Sequence, residues 1–351
     1  MKSRERFLCA LNRKKPDRVP IFEAHIDAPI IYKLATLLGI PEEYTKGEYV
    51  ELYCQVIEKL GLDCVCYPFS IGLEKISGNL AKDKYGRVYR LSPHGEALPA
   101  EPLVKSIFDA EKLDMASKLS EDDFSEIKRI IERFGKEKAF CMPVADPYKE
   151  SWRCVGGMEN LLLSFRENEK LVRLLLEKTK DFALKAIDTA IKMGVDAFLM
   201  PGDFAYETGL LFSVEDYKRY LKPVHQEIVE FVHKKGRLIA KHSDGNIWPL
   251  IDEWIEVGFD GIHPIQPQCM DIKEVKEYVK GKLAVIGNID CRNLLVSGSK
   301  EEVIETVKKT IEKAAPGGGY IISSSNSIHP GCKAENYIAM VEAAKEYGVY
   351  D

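Results

Sequence analysis

The sequence predicts an α/β fold: a TIM-type (β/α)8 barrel with a hairpin inserted after the second strand. Three observations carry this. Eight short apolar, β-branched runs alternate along the chain with longer amphipathic stretches. The series ends on a helical pattern, as a strand–helix repeat should. No G-x-G-x-x-G or G-x-x-x-x-G-K-[ST] follows an early strand, which disfavours a doubly wound nucleotide-binding sheet.

The strand runs are "RVPIFEAH" (18–25), "DCVCYPF" (63–69), "KAFCMPVAD" (138–146) and "DAFLMPGDF" (196–204). They continue with "LIAKHSDG" (238–245), "GIHPIQPQ" (261–268), "LAVIGNID" (283–290) and "YIISSSNSI" (320–328). Helical periodicity is clear at 158–193, 213–235, 247–257, 271–280, 299–314 and 334–347. "SVEDYKRYL" and "SKEEVIETV" each open on a Ser cap followed by acids. Gly194, Gly236, Gly258 and Gly281 supply helix stops. "PGGGY" precedes a strand and reads as a tight turn rather than a phosphate loop. Residues 70–120 break the rhythm with "DKYGRVYRLSPHGEALP", a two-stranded hairpin turning at "KYGR". It is read as an insertion in one barrel domain spanning 1–351, on the face where barrel enzymes keep their sites.

Composition bounds the function. The 351 residues are 45% hydrophobic and 30% charged, with a formal net charge of −5. That suits a soluble domain with a full core and shows no basic stripe for nucleic acid or anionic lipid. No signal peptide and no run of ~18 apolar residues is present, so a cytoplasmic protein without a membrane segment is expected. The nine cysteines are scattered, several in apolar runs, and read as reduced core thiols.

Polar residues collect where the strands end. Glu23 and His25 end the first, Asp146 the third, and Asp203, Tyr206 and Glu207 follow the fourth. His242 and Asp244 end the fifth, His263 and Gln266 the sixth, Asn288 and Asp290 the seventh, Asn326 and His329 the eighth. Residues i and i+2 share a strand face, so these pairs are expected around one mouth. Asp244 has a second reading as the cap of a helix starting at Asn246 or Ile247, and His242 as a satisfied core histidine. His225 and His233 read as surface or packing residues; His94 is not singled out. Cys64-x-Cys66 reads as core, and Cys332 could reach the mouth. G-x-S-x-G, H-E-x-x-H and C-x-x-C are missing.

The order and spacing of "RERFLCALNRKKPDRVPIFE", "DKYGRVYR", "PYKESWRCVGGMENLLLSF", "HSDGNI", "GFDGIHPIQP", "VIGNID" and "HPGCKAENYIAMVEAAKEYG" resemble the uroporphyrinogen decarboxylase superfamily over nearly the whole chain. The resemblance implies a barrel and one of two chemistries. Decarboxylases of that family carry arginines after the first strand and an aspartate after the second. Here "EAHIDAPIIYKL" and "YPFSIGLEKIS" carry neither. A polycarboxylate substrate should need such arginines. The resemblance therefore implies the cobalamin-dependent methyltransferase branch. A methyl group would pass from a small methoxylated or methylated donor to a corrinoid carried by a partner protein.

Members of that branch hold zinc through H-x-C…C. His242 falls on the histidine, Asp244 on the first cysteine and Asn326 near the second; Cys332 lies six residues beyond. The expected catalytic residues are His242, Asp244, Glu23 and Asp203. Substrate binding is expected from His25, Tyr206, Glu207, Gln266, Asn288 and Asn326. A metal, zinc as candidate, would be held by His242 and Asp244, with Cys332 as a further option. A homodimer is the assembly considered, and tetrapyrrole decarboxylation is the alternative activity.

Overall fold

The computed structural model describes residues 1–92 and 97–350. In chain order its strands are β1 (Cys64–Cys66), β2 (Leu73–Ser77), β3 (Leu80–Asp83), β4 (Val88–Leu91), β5 (Ala97–Glu101), β6 (Ala139–Pro143) and β7 (Ala197–Pro201). Then come β8 (Ala205–Tyr206), β9 (Gly209–Leu210), β10 (Leu238–His242), β11 (Gly261–His263), β12 (Ala284–Ile286) and β13 (Tyr320–Ile321).

β1, β6, β7, β10, β11, β12 and β13 form one parallel sheet, adjacent in that order. Spatial order follows chain order, so every crossover joins neighbours and the sheet curls in one direction. Residues 20–22 bridge its two edges. The Phe22 N–H donates to Ile322 O at 3.0 Å, Ile322 N–H to Pro20 O at 3.0 Å, and Asp63 N–H to Ile21 O at 2.9 Å. The first of the eight predicted runs is thus present as a bridging segment rather than a regular strand. Pro20 offers no N–H to a ladder.

Strand alternation sorts side chains into two cores. Phe22, Cys66, Cys141, Leu199, Ala240, Ile286 and Ile321 fill the inside, floored by Phe7, Ala10 and Leu11 of the helix Ser3–Leu11. Ile21, Val65, Phe140, Phe198, Ile239, Ile262, Val285 and Ile322 face outward and pack with the helices. This phase decides which polar residues can reach the mouth.

The predicted helices are present with local changes. The 158–193 pattern is two helices, Met158–Glu167 and Glu169–Met193, split where the Asn168 side chain accepts from Leu171 N. The 213–235 pattern contains a π turn at Tyr217–Leu221 before Lys222–Lys234. Ser213 and Ser299 cap their helices as expected. Gly194, Gly236, Gly258 and Gly281 all take left-handed φ, which favours residues without Cβ. The N-terminal helices Ala28–Leu37 and Tyr49–Leu60 had no counterpart in the sequence reading. Among the described residues no helix is long and apolar enough to cross a membrane, and all nine cysteines are free.

The insertion is larger than a hairpin. β2, β3, β4 and β5 form a four-stranded antiparallel sheet, and the "KYGR" turn joins its middle pair. His94 lies outside the described residues. The sheet is anchored by Arg87, which is 1% exposed, donates to Asp83 Oδ2 at 2.6 Å and ion-pairs with Glu150. Glu150 belongs to the helix Pro147–Cys154, which rises from the end of β6. The insertion is therefore tied by a buried charge network to an element that borders the mouth.

Candidate functional site

β10 carries the centre of the site. Ala240 faces inward, so His242 does too, and the parallel register sets it beside His263 of β11. The two rings stack with centroids 4.9 Å apart, and their Nδ1 atoms are 2.6 Å apart. One of these nitrogens must carry the proton. His263 is fully buried; burial first, then the proximity of His242, pushes its pKa well below the usual histidine value. It is therefore neutral. Whichever Nδ1 donates, this contact fixes the His242 ring with its Nε2 directed away from His263.

His242 Nε2 points at two carboxylates, Asp203 Oδ1 at 3.6 Å and Asp244 Oδ1 at 3.8 Å. Gly202 N–H donates to His242 O at 3.1 Å and Phe204 N–H to Ser243 Oγ at 2.9 Å, which brings the loop carrying Asp203 against the end of β10. Gly245 takes φ +83°, and a Cβ there would lie 2.5 Å from Ala205 O. Only a glycine lets the two loops touch at that point.

The carboxylates are held differently. Burial pushes Asp203 up, but the approach of His242 and the Lys149 charge outweigh it and bring the group well below the usual carboxylate range. Lys149 Nζ is 3.5 Å from Asp203 Oδ2. Asp244 is raised by burial, with His242 opposing. Its Oδ2 accepts from Asn326 Nδ2 at 2.6 Å, while its Oδ1 is buried without a hydrogen-bond partner. One ligand atom each from Asp203, His242 and Asp244 lies within 4.8 Å of the others. One nitrogen and two carboxylate oxygens, one lacking a hydrogen-bond donor, suit a divalent cation with hard or borderline preference. No sulfur belongs to the group, so a thiol-activating zinc set is not what these residues build.

Other expected site residues are distributed unevenly. Gln266 Oε1 accepts from Gly245 N at 2.9 Å, and with Asn326, Asp244, Ser325 and His329 it lines a polar cavity of about 380 Å³. Asn288 is buried beside the β11 loop, donating to Ile265 O at 2.7 Å. Tyr206 is 66% exposed, and Glu207 ion-pairs with Arg292 on the rim. Asp290 turns to the backbone N–H groups of Arg292 and Asn293 rather than to the Arg292 side chain.

Glu23 and His25 do not join the group, because their strand phase is opposite to the one expected. Phe22 faces inward, so Glu23 faces outward. There it accepts from Ser324 Oγ at 2.7 Å and Ser324 N at 3.2 Å, and burial raises its pKa to about 8 despite those bonds. His25 is exposed and pairs with Asp27 at 2.9 Å. Cys332 is buried against Cys291 O at 3.4 Å, its thiol pushed up to about 12 by burial. Asp146 also leaves the mouth. It caps the helix Pro147–Cys154 through Tyr148 N at 2.8 Å and pairs outward with Lys241 at 2.8 Å. Asn246, not Asp244, takes the helix-entry role by accepting from Trp248 N at 3.2 Å.

Sequence reasoning undervalued three residues. His263 was seen at a strand end but not as the partner of His242. Lys149 gave no signal, since a lysine in a helix is unremarkable. Lys241 did give one: a charge in the apolar run "LIAKH" demands a buried counter-ion.

Comparison with known proteins agrees with this architecture. The chain is 25% identical to the methylcobamide:CoM methyltransferase MtbA of Methanosarcina acetivorans, over 98% of each chain. It is 27% identical to the uroporphyrinogen decarboxylase of Methylococcus capsulatus, over 52% of this chain and 50% of that one. A solved methyltransferase from Methanosarcina mazei superposes with a TM-score of 0.73 at 19% identity, covering 99% of both chains. The pattern described as Uroporphyrinogen decarboxylase (URO-D) matches residues 2–347. The chain belongs to the uroporphyrinogen decarboxylase family.

Proposed function

We propose that this enzyme is a methyltransferase that takes a methyl group from a small methoxylated or methylated compound and passes it to the cobalt of a partner corrinoid protein. The observation that carries the reading is the Asp203–His242–Asp244 group at the strand ends, set in a chain that aligns end to end with a methylcobamide methyltransferase. The sheet with its bridging segment is read as a closed (β/α)8 barrel forming a single domain, with β2–β5 inserted into it. The decarboxylase alternative is less favoured: that resemblance spans half the chain, and the group that gathers at the strand ends is two acids and a histidine rather than a set of arginines for a polycarboxylate.

The chain's own task is to place the donor and improve its leaving group. His242, as an imidazolium whose Nδ1 is held by His263 Nδ1, faces through Nε2–H the point where a departing oxygen would gather charge, gives it that proton and is left a neutral imidazole. Asp203 and Asp244 stabilise the imidazolium before it gives up its proton. A divalent ion held by His242 Nε2, Asp203 Oδ1 and Asp244 Oδ1 would instead polarise the same oxygen. Asn326 and Gln266 fix the far side of the cleft by bonding to Asp244 and Gly245.

Incubation with cob(I)alamin and a panel of methoxylated donors tests the reading. Methylcobalamin should form with at least one donor and be lost in His242→Ala; no product from any donor would overturn it. Elemental analysis decides between proton and metal chemistry. Stoichiometric metal that disappears in His242→Ala and Asp203→Asn assigns the ion, and a metal-free active enzyme assigns the acid.

A further inference from the structure

A second cavity, about 340 Å³, lies on the Asp203 side of the group and differs in character from the polar cleft beside Asp244. Its walls are Phe69, Ile71, Pro143, Phe182 and Pro201, contributed by the loop after β1, the ends of β6 and β7, and the helix Glu169–Met193. The inserted sheet supports these walls. Tyr85 packs on Phe182 with ring centroids 5.1 Å apart, and Phe182 lies 6.1 Å from Phe69.

Two cations of the helix Pro147–Cys154 border this apolar space, Lys149 and Arg153. They are four residues apart, hence on one helix face and about 6 Å apart along the axis. Lys149 is at the end next to the catalytic group, 3.5 Å from Asp203. Arg153, a turn further from the strand ends, gives one Nη to Glu150 at 2.7 Å, and Glu150 is shared with the buried Arg87 of the insertion. Among the described residues the Arg153 guanidinium has no other carboxylate partner, and its Nε is buried without a hydrogen-bond partner. A planar guanidinium with free donors beside an apolar slot suits an acid group on a hydrocarbon body.

We propose that this cavity binds the body of the substrate and that the substrate is an apolar compound with a single acid group. The acid meets Arg153, the hydrocarbon lies between Phe69, Ile71 and Phe182, and the methyl-bearing end reaches Lys149, Asp203 and His242. The inference rests on the demethylation reading and adds its substrate class. It also gives the insertion a role: β2–β5 form the outer support of the pocket through Tyr85 and Arg87.

Calorimetric titration of the intact protein with 4-methoxybenzoate and its neutral isostere 4-methoxybenzamide tests the proposal without any corrinoid. Wild type should bind the acid about tenfold or more tightly than the amide. Arg153→Leu should abolish that preference, and Arg153→Lys should retain part of it. Ile71→Trp, which fills the slot from a loop, should abolish binding of both. Circular dichroism on each variant separates loss of binding from loss of fold. Equal binding of acid and amide to wild type, an undiminished preference in Arg153→Leu, or full binding in Ile71→Trp would each overturn it, as would no binding at all. Because no methyl transfer is read, a failure here leaves the methyltransferase reading standing, and intact binding with no transfer to cobalamin from any donor fails only that reading.

Discussion

Lys241 and His242 are consecutive residues of β10, yet they belong to two clusters of opposite design. Lys241 faces outward and is fully buried, donating to Asp146 Oδ2 at 2.8 Å, Met200 O at 3.1 Å and His242 O at 3.2 Å. Asp146 also meets His225 Nε2 at 3.2 Å, and Tyr217 closes the chain on His225 Nδ1 at 3.1 Å. Burial pushes Lys241 down and Asp146 up, but the pairing wins for Asp146, which stays well below the usual carboxylate range. Lys241 and Asp146 each have a close partner of opposite charge, and His225 Nε2 approaches Asp146 without a well-directed hydrogen bond. His242, one residue on, faces inward with contacts of 3.6 and 3.8 Å and an Asp244 oxygen without a donor. The difference teaches how to separate structure from chemistry among similar residues. A closed, short-range cluster holds the ends of β7 and β10 and the helix Pro147–Cys154 in place. A loose cluster on the other face of the same strand keeps bonding capacity for a ligand.

Removing one partner from the closed cluster should give the largest effect. Lys241→Met leaves Asp146 buried without its cation and should destabilise the fold by about 3–5 kcal/mol, measured by urea unfolding. A loss under about 1 kcal/mol would mean that the closed cluster is not structural. His242→Ala should behave in the opposite way. Its unfolding free energy should change by no more than about 1 kcal/mol, whereas methyl transfer should fall about 100-fold or more. A variant that loses stability and activity together would erase the distinction between the two faces.

Glu23 sharpens the comparison with pH. It is buried without a cation, and its carboxyl is raised from 4.5 to about 8 in the folded state. The unfolded chain releases this proton at lower pH than the folded one. Glu23 is therefore harmless below its unfolded value, and the stability it allows is lost progressively from about pH 4.5 to about pH 8. Glu23→Gln should flatten that decline, gaining up to about 5 kcal/mol relative to wild type at pH 8.5 and nothing at pH 4. Thermal unfolding across pH checks it; parallel profiles would show that Glu23 is charged in the fold. The smallest effect belongs to the rim. Glu207 and Arg292 are both exposed, so Glu207→Gln should alter stability by less than about 0.5 kcal/mol.

Much was legible in the sequence. The apolar runs, Ser caps and left-handed glycines depend on local periodicity and backbone preference, and they placed the seven strands of the parallel sheet and the longer helices from residue 158 onward, but not the helices before it. The location of His242, Asp203, Asp244 and Asn326 at strand ends of one curled sheet was also legible, since strand order followed chain order. Glu23 shows where reading stopped. In "RVPIFEAH" either alternation phase offers an apolar face, and the bridge from Ile21 to Ile322 chooses the one that buries Phe22 inside. The four-stranded insertion was missed because "LEKIS" and "ALPAE" are too polar to announce strands; pairing with β3 and β4 makes them so.

The sequence by itself determined the repeat, the family and the gathering of polar residues at the strand ends, because these rest on periodicities of two and 3.6 residues and on residue order. Tertiary structure decided which acids accompany His242, that His263 orients its ring, and that Lys241 and Asp146 neutralise each other behind the sheet. Those outcomes depend on register between strands far apart in the chain. A shift of one residue would exchange the open face with the closed one.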